Sequence, residues 1–187
     1  MLYPTGAGNS RRLDYGEFAG MSMGAFLGET GAIVVCGNEQ KGIATHFYTG
    51  TTAGGPLKAF TSAAMGNLVV SPDGSFVIAQ ILDSGYRRIT VSSDNLQTIA
   101  GLTSRDEVLR LSPDGKFLWT RQLNIQPVLV ERIDVATGAR GALLPPCAFP
   151  RPGLLEVRHV ALADDPHNHV HIERESFSYL FELTTKQ

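Results

Sequence analysis

Short apolar runs, each closed by a cluster of turn-forming residues, dominate the chain. Ala32-Ile33-Val34-Val35, Phe76-Val77-Ile78-Ala79 and Phe117-Leu118-Trp119 are examples, and Gly, Pro, Asp or Asn stands beside each of them. No stretch sustains the 3.6-residue apolar period of an amphipathic helix, so strands are expected, with little or no helix.

The runs recur. Ser71-Pro72-Asp73-Gly74 returns as Ser112-Pro113-Asp114-Gly115, with Leu68-Val69-Val70 before the first and Leu109-Arg110-Leu111 before the second. An eroded copy runs from Ala25 through Leu27-Gly28-Glu29-Thr30-Gly31 to Val35, and a fainter one from Val160 through Asp164-Asp165-Pro166 to Ile172. Their spacing is close to the roughly 40–45 residues of one propeller blade. The turn chemistry explains the motif. Pro presets φ at the first central position, Asp closes the turn with its side chain, and Gly accepts positive φ.

A third strand follows each hairpin, at 45–51, 86–92 and 128–135, and a short fourth at 56–61, 96–100 and 139–144. The last copy offers three strands, near 156–162, 169–174 and 179–183. An orphan near 9–13, after Tyr3-Pro4-Thr5-Gly6-Ala7-Gly8, would supply its fourth by pairing with 179–183. The expected fold is therefore an all-β propeller of about four four-stranded antiparallel blades in one domain, 1–187. The blades fall near 21–61, 66–101, 107–146 and 156–185, with the N-terminal strand at 9–13. Two arrangements stay open: a closed four-bladed ring, expected to be monomeric, and part of a larger propeller. In the second, exposed end faces would favour a homodimer.

Composition agrees with a chain of strands and turns. Gly reaches 20 and Pro 10, while charged residues make up only 18%. Sixteen Lys+Arg against eighteen Asp+Glu give a net charge of −2, which argues against nucleic acid or an anionic membrane as partner. No apolar run approaches the length needed to span a bilayer, and no secretory leader is visible. The chain opens as if on the tail of a strand, as a piece of a longer protein would. Cys36 and Cys147 are too few for a disulfide framework and are read as small buried hydrophobes, with a single bridge between them left open.

The Ser-Pro-Asp-Gly turns, each followed by an aromatic and small apolar residues, resemble those of TolB-like, WD-repeat-like bacterial propellers (WD40-like, PD40). Leu2-Tyr3-Pro4-Thr5-Gly6-Ala7-Gly8 with Arg11-Arg12-Leu13, then Cys36-Gly37-Asn38-Glu39, is similar to the propeller at the C-terminus of bacterial eukaryotic-like serine/threonine kinases. Ser178-Tyr179-Leu180-Phe181-Glu182-Leu183 is similar to the closing strand of those proteins. The first and last copies lose the Pro-Asp-Gly core, and no kinase residues are present. The resemblance implies a sensor or docking module on the periplasmic side of the cytoplasmic membrane.

Chemistry-bearing residues are sparse. His167, His169 and His171 alternate, with His159 and Asp164-Asp165 nearby, and are the one cluster whose residue types suit zinc or nickel. An eroded turn with a polar strand face is the stronger reading of them, so neither a metal nor any other cofactor is expected. Thr5-Gly6-Ala7-Gly8 lacks the Gly-Lys-Ser/Thr of a phosphate loop. Ser71, Asp73, Ser112 and Asp114, with Pro72, Gly74, Pro113 and Gly115, are read as structural turns, Trp119 as core, and Tyr86-Arg87-Arg88 as a solvated strand face. The expected function is non-catalytic recognition of a protein, peptide or glycan. The alternative is the propeller portion of a hydrolase, for which Asn38, Glu39 and Asp83 offer no recognisable set.

Overall fold

The computed structural model describes residues 1–3, 6–41, 44–61, 66–81, 84–93, 95–125, 128–142, 154–162 and 169–175. All regular structure among them is strand. The first sheet joins β1 (Gly20–Leu27), β2 (Ala32–Asn38), β3 (His46–Thr51) and β4 (Lys58–Ala59) in that order. The second joins β5 (Gly66–Val70), β6 (Phe76–Ile81), β7 (Gly85–Thr90) and β8 (Asn95–Thr98). The third joins β9 (Asp106–Leu111), β10 (Phe117–Gln122), β11 (Val130–Asp134) and β12 (Arg140–Ala142). β13 (Leu154–Leu162) and β14 (His169–Glu175) form an antiparallel pair. Every pairing is antiparallel between consecutive strands, so each sheet is a meander.

In the three four-stranded blades the second strand is mostly apolar because both of its faces are buried. In β6, Val77, Ala79 and Ile81 pack against Leu27, Val34, Cys36 and Phe47 of the first blade. Phe76 and Ile78 point the other way, against Val108, Leu111, Leu118 and Ile133 of the third. Trp119, Val128 and Val130 then meet Val160 and Leu162 of β13. The fourth strands run differently: β8 and β12 are short and exposed throughout, which limits edge-to-edge pairing.

The first strands stand side by side in the order β1, β5, β9, β13. Among the described residues no comparable packing joins β13 back to β1, so the sheets form an open arc. Of the two arrangements the sequence allows, part of a larger propeller fits and a closed ring of four does not. The strand expected at 9–13 is reduced to one bridge, Leu2 with Arg11. Asn9, Ser10, Arg11 and Arg12 offer no apolar face to bury, and the segment follows the first blade instead. Arg11 donates to the Thr52 carbonyl (2.5 Å), the Tyr15 hydroxyl to that of Thr51 (2.9 Å), and the Gly55 amide to that of Asp14 (3.0 Å). Tyr15 and Phe18 cover Ile33, Val35 and Tyr48, with Phe18 edge-on to Tyr48 at 5.0 Å. The expected partner strand at 179–183 lies outside the described residues.

Candidate recognition surface

The first and third turns of the three four-stranded blades emerge at the same end of the sheets, because each strand reverses direction. On this rim the Ser-Pro-Asp-Gly turns are closed twice over. Ser71 donates its amide to the Phe76 carbonyl (2.9 Å) and accepts the Phe76 amide on Oγ (3.0 Å), while the Gly74 amide reaches the Ser71 carbonyl (2.9 Å). Ser112 repeats the arrangement with Phe117 and Gly115. Gly74 and Gly115 both sit at φ 72°, where a side chain would be strained.

The acids of these turns are spent locally. Asp73 Oδ1 accepts from the Ser75 amide (3.0 Å) and hydroxyl (2.8 Å). The Ser75 amide foremost, then the Ser71 and Ser75 hydroxyls, hold its carboxyl down at about 2. The Ser112 hydroxyl (2.6 Å) and the Lys116 amide (3.1 Å) lower Asp114 in the same way. Asp134 is lowered chiefly by the Thr137 amide, and then by its hydroxyl.

Between the second and third blades the rim holds a groove of about 800 Å3. Phe76 and Ile99 give it an apolar wall. The Arg88 guanidinium stacks 4.1 Å above the Phe76 ring and donates to Gln97 Oε1 (3.1 Å). Opposite stand Asp114, Lys116 and Asp134. Because each Asp is held by its own loop, Asp114 also lying 3.7 Å from Lys116, the groups best placed to meet a ligand are the Arg88 guanidinium over the buried Phe76, the Lys116 cation and the exposed Gln97 amide. Nearer the first strands a second depression of about 320 Å3 lies between Pro72 and Pro113, walled by Val70, Leu111 and Arg110. Arg110 donates to the Leu162 carbonyl (2.9 Å) and so ties the third blade to β13.

Such a surface can bind by stacking, charge and hydrogen bonding. Ser71 and Ser112 are buried with their hydroxyls engaged in turns. At the opposite end of the sheets, Asn38 donates to the Gln40 carbonyl, and Glu39 lies beside the Tyr48 hydroxyl. Asp83 lies outside the described residues. Of the histidines, His169 and His171 stand in β14 opposite Leu162 and Val160, and His159 in β13 opposite Ile172. His167, Asp164 and Asp165 lie outside the described residues. Among those described, no group of three or more His, Cys, Asp or Glu is arranged to hold a metal ion.

Cys36 is fully buried and unpaired, and burial pushes its thiol up. Cys147 lies outside the described residues. Trp119 is buried between the third blade and β13. The Tyr86-Arg87-Arg88 segment departs from a solvated face. Tyr86 is core, with its hydroxyl on the Asp106 carbonyl (2.9 Å), and Arg88 is stacked. A signal for this was present in the repeat, since Arg132 covers Phe117 in the third blade as Arg88 covers Phe76 in the second.

The fold and its rim define a β-propeller assembly, and known structures agree. The chain superposes on a putative TolB from Agrobacterium tumefaciens with a TM-score of 0.67 at 14% identity, over 93% of this chain and 74% of that one. It superposes on TolB from Acinetobacter baumannii with a TM-score of 0.58 at 19% identity, over 79% of this chain and 36% of that one. The chain thus spans about three quarters of the first protein and little over a third of the second. No protein-family model and no curated protein matches it. At these identities the similarity establishes the propeller fold alone.

Proposed function

We propose that this chain is a non-catalytic recognition module that binds an extended protein segment along the rim between its second and third blades. The 800 Å3 groove carries the proposal. Its volume is that of a ligand site, and it is built on two blades joined by a continuous apolar core. Stacked and charged side chains line it, which suits a peptide with both acidic and apolar side chains. The kinase-like sequence features support a place as the sensing part of a bacterial receptor, outside the cytoplasmic membrane, with the catalytic domain elsewhere. Among the described residues no helix is long and apolar enough to cross a membrane.

The test is selection of binders from a random peptide library displayed on phage, with a glycan array in parallel. A peptide bound by the wild-type chain and lost in Arg88→Glu and Lys116→Glu is the expected result. Binding only to glycans, or hydrolysis of model esters and lactones by the purified chain, would overturn it, the latter in favour of the hydrolase alternative.

A further inference from the structure

The second blade carries a row of side chains across the face that looks toward the third. Ile78 pairs with Arg88 across β6 and β7, and Arg88 with Gln97 across β7 and β8. Directly opposed residues share a face, so the row runs from the buried Ile78 to the exposed Gln97. Within it Arg88 donates to Gln97 (3.1 Å) and lies 4.1 Å over Phe76. The matching rows are Val34, Thr49 and Lys58 in the first blade, and Trp119, Arg132 and Gly141 in the third. Of the three, the second blade alone sets a side-chain amide on the outer strand beyond a stacked guanidinium.

That row ends on a backbone edge. β8 is the last strand of its sheet and, among the described residues, is bonded to β7 alone. Gln97, Thr98 and Ile99 bring the edge into the groove between the blades. Just past Ile99 the two blades meet backbone to backbone: a Cβ on Gly101 would lie 2.3 Å from the Gly138 carbonyl oxygen. The walls of the groove belong to two adjacent, described blades, so its opening does not depend on either end of the arc. Four residues are too few to template a second sheet, yet they can seat a short segment that brings its own anchor. The groove's charges say what that anchor is. Asp114 is held by Ser112 and Lys116, and Asp134 by Thr137, with Arg132 nearby. Among the described residues Arg88 has neutral partners only, the Phe76 ring and the Gln97 amide. Its planar fork suits a carboxylate.

Resting on the peptide-binding reading above, we infer that the bound segment adds to the second blade as a further β-strand. Its backbone pairs along Gln97, Thr98 and Ile99, and an Asp or Glu side chain in register with Gln97 sets its carboxylate on the Arg88 guanidinium. That acid continues the row by one cross-strand step. Main-chain bonds supply affinity, and the acid fixes the register.

The test uses a phage-selected peptide, resynthesised with each backbone amide N-methylated in turn and, separately, with each acidic residue replaced by its amide. N-methylation should weaken binding by about tenfold at alternate positions and little between them, the period of a strand bonded along one edge. One acid-to-amide change should cost about tenfold against the wild-type chain and nothing against Arg88→Met, whose fold circular dichroism verifies. Losses without alternation, or an acid-to-amide loss that persists in Arg88→Met, would overturn the strand addition and leave recognition at the rim standing. The N-methyl scan needs only the wild-type chain, so it decides even where Arg88→Met does not fold. Selection of no peptide at all would instead remove the reading on which the inference rests, so the two failures are told apart.

Discussion

Arg140, on the outermost strand of the third blade, donates Nη2 to Oδ2 of Asp106, on the innermost strand, at 2.6 Å. The same guanidinium reaches Glu131 at 2.8 Å and the Gly101 carbonyl on the segment arriving from the second blade. The Asp106 side chain is wholly buried, and its other oxygen has no hydrogen-bond partner. One cation thus spans a blade and fixes its connection to the previous one.

Removing that cation leaves a buried carboxylate whose remaining bonds are from the Thr103 amide (2.6 Å) and hydroxyl (2.8 Å). Arg140→Met should cost about 2–4 kcal/mol, below the usual cost of breaking a fully buried pair because the arginine is a quarter exposed. Adding Asp106→Asn should recover part of the loss. Urea unfolding of the two single variants and the double variant checks this, with a clearly non-additive cycle expected.

The two turn glycines share one φ but not one environment. A Cβ on Gly74 would lie 2.8 Å from the Leu27 carbonyl carbon and 2.9 Å from the Gly28 amide, whereas one on Gly115 would meet nothing within 4 Å. Gly115→Ala should therefore cost only the left-handed penalty of about 1–2 kcal/mol, and Gly74→Ala distinctly more. Thermal melts of the two variants give the comparison directly.

Much of this architecture is legible in the sequence, because a repeated Ser-Pro-Asp-Gly turn between apolar strands leaves few alternatives. The strand order and the burial of Trp119 follow from local pattern. The rim groove does not. It needs Arg88 from one blade and Lys116 from the next, and only the packing of Phe76 and Ile78 on Leu118 brings those together. The 9–13 segment is tied to the first blade by a contact that no local pattern announces, the Arg11 guanidinium on the Thr52 carbonyl.

The turn carboxylates give an acid signature. Asp73, Asp114 and Asp134 are all lowered from 3.8, Asp73 to about 2. A lowered folded-state pKa contributes stability that is present above the unfolded value and lost as pH falls through the folded one. Wild type and Asp73→Asn should therefore differ in Tm at pH 6 and converge toward pH 2. A difference that is constant with pH would show that the carboxylate charge is not involved.

Burial predicts two unequal leucines. Leu118 is 0% exposed between two blades, and Leu96 on the edge strand is 53% exposed. Leu118→Ala should cost about 2–5 kcal/mol and Leu96→Ala about 0.5 kcal/mol or less. Equal effects in denaturant titrations would mean that the second and third blades do not pack as described.

The claim that the rim between the second and third blades is the recognition surface is tested most directly by amide exchange with a library-selected peptide bound. Slowed exchange confined to residues 97–99, 114–116 and 134–136 is the predicted result. A footprint at the opposite end of the sheets, around residues 38–41, would contradict it.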